Sequence, residues 1–317
     1  TYKEIKGVTV QTLDSDPVVF AGSWSSGGAL NTARAWMGGA GIQTAALAFG
    51  GEEPSVTGKT EEYNGSSWTE KNDLNQVRKG LGASGTYTAA LAISGIAPGY
   101  RAEVEQWDGT NWTEVGDVNS ARYGGAASST SSTANVFFAG KTSTANVAIT
   151  ESWNNSSWTE VADMSTARRQ LGGSGTQTAA LAFGGNADPP YFANTESWNG
   201  SAWTEVSDLN TARYLNGSGT QTSTLAFGGY TGSASALTES WNGSVWTEVN
   251  DLSTARYTIG GAGAGNTSSL AFGGATPVKS DTEEFSFPPP TSVALTEGDI
   301  FLSGGTTLKG FGKAAGI

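Results

Sequence analysis

The sequence predicts an all-β fold: a six-bladed β-propeller with four-stranded antiparallel blades, its ring closed by the N-terminal strand. Three observations carry that prediction. A tryptophan recurs at Trp24, Trp68, Trp112, Trp158, Trp203 and Trp246, with spacings of 44, 44, 46, 45 and 43 residues. An arginine follows each one ten residues later, at Arg34, Arg78, Arg122, Arg168, Arg213 and Arg256. Within each unit, short apolar runs alternate with glycine-rich turns. A period in the mid-forties is the signature of a repeat architecture. Because the Trp-to-Arg interval never varies, that segment is fixed geometry and insertions fall elsewhere.

The unit is clearest from residue 166 to residue 210, which residues 211–253 repeat almost word for word. After Arg168 comes RQLGGSG, a strand of small residues suited to crowding near an axis. A Gly-Thr-Gln-Thr turn leads to Ala-Ala-Leu-Ala-Phe at 179–183, a continuous apolar run expected of a strand buried on both faces. Thr-Glu-Ser-Trp at 195–198 and Ala-Trp-Thr-Glu-Val at 202–206 flank Asn199-Gly200, the sequence of a type I′ hairpin turn with positive φ at both central residues. A lone meander of this kind leaves apolar faces wet. Packing copies face to face around an axis buries them.

Half-units at the two ends set the closure. Trp24 belongs to a fourth-strand segment with no third strand before it, and the last unit stops after its third strand, residues 282–287. Together they make one blade. The chain therefore divides into an N-terminal extension (1–22), the propeller (23–287) and a C-terminal tail (288–317). Pro288-Pro289-Pro290 cannot continue a ladder, and the tail's Asp299–Leu302 and Thr307–Phe311 are expected to pair around Gly304-Gly305. Val8–Leu13 alternates as an edge strand, followed by turn residues at 14–17.

Composition narrows the chemistry. A net charge of −12 disfavours nucleic-acid and anionic-membrane partners. Zero cysteine and zero histidine remove thiolate and imidazole ligands, the usual general base and the serine triad. The expectation is no catalytic residue, no metal and no cofactor. No apolar run reaches membrane-spanning length. The first residues lack the apolar core of a secretory signal, which points to folding in a cytoplasm.

The apolar strand ending in Gly-Gly (Gly50-Gly51, Gly184-Gly185, Gly228-Gly229, Gly273-Gly274), then an aromatic (Tyr63, Trp107, Trp153, Trp198, Trp241, Phe285), then a tryptophan, resembles the kelch repeat over residues 23–287. Ser94-Gly95 and Ala139-Gly140 depart from the pair without breaking register. Kelch-type copper oxidases use histidine ligands, which this chain lacks. The near-identical units, with their Asn-Gly-Ser-x-Trp-Thr-Glu and Asn-Thr-Ala-Arg phrases, are similar to kelch-like virion proteins of marine bacteriophages. The tail phrase at 297–311 is similar to hairpin modules of phage fibre proteins. That resemblance implies a non-enzymatic virion surface protein (fibre, tail component or capsid appendage) that binds host-surface glycans or proteins. Residues 1–22 and 288–317 would then dock it to other virion proteins or to copies of itself. Two alternatives stand beside it: a polysaccharide hydrolase using a carboxylate pair, and an intracellular peptide-binding scaffold.

The repeated carboxylates, Glu70, Glu114, Glu160, Glu205 and Glu248 with Asp73, Asp117, Asp163, Asp208 and Asp251, read as partners of the arginines and caps of turns. The informative residues lie where units differ, in the loops between second and third strands. Exposed aromatics there suit ligand capture. The candidate recognition face gathers Lys59, Tyr100, Arg101, Lys141, Tyr191, Phe192 and Tyr230, its cations placed to meet an acidic sugar.

Overall fold

The structure is a computed structural model and describes residues 22–128, 130–275, 277–287, 300–303 and 307–310. Residues 22–287 form one compact unit. It contains six sheets of four antiparallel strands, and no helix among the described residues. Blade 1 spans residues 38–71, blade 2 82–115, blade 3 126–161, blade 4 172–206 and blade 5 214–249. Blade 6 takes three strands from residues 260–286 and its fourth from Ser23–Ser26. Trp24 pairs with Phe285 in that outer ladder, so the N-terminal strand closes the ring. The first strands contact one another in sequence around the axis and the fourth strands are outermost.

Blade 4 shows how the sequence makes each strand. Gly172–Thr176 is innermost, and a Cβ at Gly172 would lie 2.2 Å from the Phe183 ring, so only glycine fits there. Ala179–Phe183 is buried along its length apart from Ala179. Thr195–Trp198 and Trp203–Val206 pair with Trp198 opposite Trp203. Their connection departs from the two-residue type I′ turn. It is a four-residue loop in which only Gly200 has positive φ (93°), and the Asn199 carboxamide oxygen accepts from the amides of Ser201 and Ala202. The facing tryptophans, ring centroids 5.4 Å apart, fix a register that leaves four residues to be turned.

Blades interlock through the same tryptophan. The second-strand phenylalanine of one blade packs on the fourth-strand tryptophan of the next: Phe49 on Trp112 at 4.8 Å, Phe138 on Trp203 at 4.9 Å, Phe183 on Trp246 at 5.1 Å. The indole N–H then donates back to a third-strand threonine of the preceding blade, as Trp112 to Thr60 and Trp246 to Thr195, each 3.0 Å. Blade 2 carries Val104 at the threonine position, and Trp158 donates to the Gly116 carbonyl instead. Blade 3 has a first strand of only two residues, Ala126–Ala127. Beyond it, buried Asn135 donates to the Ser128 carbonyl at 2.6 Å and to the Ser84 hydroxyl of blade 2 at 2.5 Å, replacing ladder bonds with side-chain ones.

In the tail, Ile300–Ser303 and Thr307–Gly310 pair antiparallel as expected. The proposed edge strand at 8–13, the turn at 14–17 and the proline run lie outside the described residues.

The seam between blades 6 and 1 generates two tests. Deleting residues 1–34 removes the closing strand and exposes the third-strand edge of blade 6. Aggregation or loss of cooperative melting is expected, and a soluble truncation melting at the wild-type temperature would overturn closure at this seam. Tyr63 of blade 1 donates to the Glu284 carboxylate of blade 6 at 2.6 Å. Burial, reinforced by that bond, pushes its phenol up to about 12. A folded-state pKa above the ordinary value of 10 means that its stabilisation is intact below pH 10 and is lost as pH rises towards 12. Wild type should therefore lose stability relative to Tyr63→Phe across that window in pH-dependent melting.

Candidate functional site

The repeated arginines build the frame that holds the site. All six are fully buried. Each pairs with the glutamate of the third strand of the blade that it enters. Arg34 meets Glu61, Arg168 meets Glu196 and Arg256 meets Glu283 at 2.8 Å; Arg78 meets Glu105 at 2.9 Å and Arg213 meets Glu239 at 2.5 Å, while Arg122 and Glu151 complete the set. The other carboxylate oxygen accepts from the Trp-to-Arg segment, as from the amide and carboxamide of Asn75 to Glu105 at 2.7 and 2.9 Å. Burial pulls the guanidinium pKa of Arg34, Arg78, Arg122, Arg168 and Arg256 below its ordinary value, and the facing glutamate opposes the shift. An arginine stays charged through such a shift.

This corrects the pairing read from the sequence. Glu70, Glu114, Glu160, Glu205 and Glu248 are exposed on the outermost strands, away from the arginines. The aspartates do cap: Asp73, Asp163, Asp208 and Asp251 accept from the amides of Thr60, Thr150, Thr195 and Thr238. The true partners, Glu61, Glu105, Glu151, Glu196, Glu239 and Glu283, stand two residues before the third-strand aromatic and were read only as part of a strand.

From the arginine the chain crosses to the axis before its strand begins, so Arg168–Leu171 is not strand but the rim of the central channel. Here the second residue after each arginine joins a belt of backbone hydrogen bonds. Trp36 donates to the Thr258 carbonyl, Gly80 to Trp36, Gly124 to Gly80, Gln170 to Gly124 and Leu215 to Gln170, at 2.5–3.3 Å. Five of these six residues have positive φ: Trp36 62°, Gly80 59°, Gly124 67°, Gln170 54° and Thr258 53°. Inside the belt, glycine and alanine line a channel cavity of about 130 Å³.

On top of the belt stands an arc of aromatic rings. Tyr214 stacks on Tyr230 at 5.4 Å, Tyr257 meets Tyr230 edge-on at 5.2 Å, and Tyr191 lies 6.0 Å from Tyr230. Farther round, Tyr100 is 5.8 Å from Tyr123, and Trp36 is 6.5 Å from Tyr123. The Arg169 guanidinium lies over the Tyr123 ring at 5.4 Å. All six tyrosines and Trp36 are half-buried, so faces or edges remain open. Burial, together with its three tyrosine neighbours, pushes the Tyr214 phenol up and keeps it neutral.

Of the residues picked from sequence, the structure brings Tyr191 and Tyr230 together, and sets Tyr100 on the opposite side of the mouth. Tyr100 and Arg101 belong to a strand, Tyr100–Trp107, rather than to a loop, because blade 2 extends its central hairpin past the belt. Phe192 serves the backbone, donating its amide to Gly185 and accepting from Arg213. Lys59 is apart from the rings, its ammonium on Thr32 at 2.9 Å and Glu53 at 3.4 Å. Arg101 pairs with Glu103 at 3.2 Å and Lys141 with Asp188 at 3.1 Å. Sequence reasoning missed Trp36, Tyr123, Arg169, Tyr214 and Tyr257. Their signal was available: the one or two positions after an invariant arginine vary among Ala, Trp, Lys, Tyr, Arg, Gly, Gln, Leu and Thr.

No protein-family model matches the chain, and no curated protein matches it.

The frame and the arc separate experimentally. Glu105→Gln leaves a buried guanidinium without its counter-charge and should cost about 3–5 kcal/mol of stability. Glu114→Gln on the exposed outer strand should stay within about 0.5 kcal/mol. Equal melting temperatures for the two variants would show that the buried pairs do not hold the blades.

Proposed function

We propose that this propeller is a non-enzymatic binding module built of kelch-like repeats, carried on the surface of a bacteriophage virion as a fibre, tail or capsid appendage. Its role there is to hold host-surface molecules, glycans foremost, against the aromatic arc. One observation carries the reading: of nine tyrosines in the chain, six gather with Trp36 at one mouth of the channel, outside the repeated Phe–Trp contacts that pack blade on blade. Half-buried rings offer apolar faces to the C–H side of a sugar and hydroxyls to its polar edge. They rest on the belt and the buried ion pairs, so the binding surface is preorganised and little ordering entropy is lost when a ligand docks.

Support for the virion setting is the repeated Asn-Gly-Ser-x-Trp-Thr-Glu phrase and the antiparallel hairpin in the tail, both features of the fibre-like resemblance. In this reading the segments outside residues 22–287 dock the module to other virion proteins or to further copies. Aromatic contacts contribute about 1 kcal/mol each, so useful affinity comes from several contacts at once and from many copies per particle.

The test is the triple substitution Tyr100→Ala, Tyr191→Ala and Tyr230→Ala, assayed for binding to host cells and a glycan array beside its melting temperature. Binding should fall at least tenfold with the scaffold still folded. Unchanged binding with a lowered melting point would make the arc a packing feature and end this reading.

A further inference from the structure

Ten of the eleven tryptophans occupy the repeated third- and fourth-strand positions that glue blades together. Trp36 is the exception. It sits in the belt at φ 62°, a left-handed conformation that is a genuine outlier for a bulky side chain. Blades 2 and 3 place Gly80 and Gly124 at the equivalent positions with the same φ and no such strain. Strain of this kind persists where the surroundings over-determine it, and it clusters at ligand sites. The Tyr123 and Trp36 rings pack over Gly80, where a Cβ would lie 3.0 Å from Tyr123 and 3.8 Å from Trp36, and their centroids are 6.5 Å apart.

The result is a pocket of about 240 Å³ lined by Trp36, Lys79, Ile96, Tyr100 and Tyr123. Three aromatic rings and one aliphatic side chain make its walls. Its single cation is spent, since the Lys79 ammonium lies 2.5 Å from the Glu52 carboxylate. Most cations of this face are paired likewise: Lys59 with Glu53, Arg101 with Glu103 and Lys279 with Asp281, while Lys141 and Arg169 share the single Asp188 carboxylate and keep one net positive charge. Behind these local pairs stands a chain of net charge −12, whose field repels an anion.

Resting on the glycan reading above, we infer that the pocket at Trp36 is the primary subsite and that it takes a neutral pyranose unit, not an acidic one. The ring stacks on Trp36 and Tyr123, while the Tyr100 hydroxyl and the Lys79–Glu52 pair offer donors and an acceptor to its hydroxyls. Further units of the chain run across the mouth towards Tyr214, Tyr230 and Tyr257. This replaces the acidic-sugar preference expected from the cations in the sequence, because Lys79 at this pocket, like Lys59 and Arg101, already has a carboxylate of its own, and only Lys141 shares one, with Arg169.

Three variants and two ligand sets test it on the full-length protein. The ligands are neutral hexasaccharides (β-1,3- and β-1,4-linked glucans, mannan and galactan) and hexauronates, measured by calorimetry at low and high sodium chloride. Wild type should bind at least one neutral chain, with affinity changing less than about twofold with salt, as expected of an interaction without net charge. Trp36→Gly should keep the melting temperature, since glycine is at home in this conformation, and lose neutral-sugar binding at least tenfold. Tyr123→Ala should lose it too. Glu52→Gln frees the Lys79 charge and should gain hexauronate binding that wild type lacks. Wild-type binding only to hexauronates, weakened tenfold or more by salt, overturns the neutral-sugar assignment and leaves the glycan reading standing. Neutral-sugar binding unaffected by Trp36→Gly overturns the subsite alone. Capture of host cells with no sugar bound, or with a proline-rich peptide bound in its place, overturns the inference together with the glycan reading.

Discussion

The structure depends on a charge pair that water never reaches. Each blade begins with an arginine whose side chain is sealed inside and whose charge is met by a glutamate two strands away in the same blade. Removing two ions from water is costly, and the attraction repays it only with close geometry and satisfied neighbours. Here the neighbours are supplied by the chain that precedes the arginine. Asn75, leaving blade 2's neighbour, binds the second oxygen of Glu105 and also the carbonyl of Trp112. One carboxylate thus ties the inner end, the third strand and the incoming connection of a blade at a single point. A residue inserted between tryptophan and arginine would pull the asparagine or the guanidinium off that point. The invariant ten-residue interval follows from this geometry.

A joint so demanding frees the rest of the top face. The Gly-Gly turns that follow each second strand need left-handed backbone, and Ser94 and Ala139 adopt it at φ 60° and 58° where blades 2 and 3 lack the first glycine. In blade 2 the replacement is stabilised locally, because the Ser94 hydroxyl lies 2.7 Å from the Arg101 carbonyl and 2.5 Å from the Arg122 carbonyl, donating its one proton between them, and accepts from the Arg122 amide at 3.0 Å. Loop length, strand extension and the residues after the arginine then vary without disturbing the core. Blade 1 closes its loop with a two-residue ribbon, Glu52–Glu53 against Ser55–Val56, whereas blade 2 lengthens its central hairpin. These local choices place Glu52 and Tyr100 beside the same pocket.

Fold and site were legible to different depths for a physical reason. Trp24 and Arg34 revealed the ring because packing and burial impose the same residue at the same step in every blade. Repetition made the closure readable from the two half-units alone. The arginine partners were harder, since Glu61 and Glu70 both recur in register and only burial tells them apart. The recognition residues were half visible. Tyr191 and Tyr230 stood out as aromatics outside any core position, but Tyr214 and Tyr257 were hidden inside a segment read as inner strand. That segment begins as rim in every blade but the fifth, where Tyr214 opens the strand itself, and its side chains reach the surface before the chain turns down the axis. Residues that differ between blades carry no periodic signal, and function in a repeat protein is written in those residues.

The belt divides the surface above it from the channel beneath it, and the proposed reading places the ligand on that surface. The five backbone hydrogen bonds between neighbouring blades use amides and carbonyls that would otherwise line an open pore. To point them at one another around the axis, the backbone turns left-handed at five of six positions, which directs the following strand down the channel. Glycine accepts this turn at no cost, yet only two blades use it. Trp36, Gln170 and Thr258 carry side chains where the backbone alone would do. The strain of a left-handed tryptophan is of order 1–3 kcal/mol, and the ring stands outside the repeated Phe–Trp contacts of the core. What it does gain is position: an indole held over a glycine, beside two tyrosines, on the hydrogen-bonded belt. The belt therefore acts as a floor, and the departures from glycine within it are where the otherwise repetitive ring acquires one particular surface.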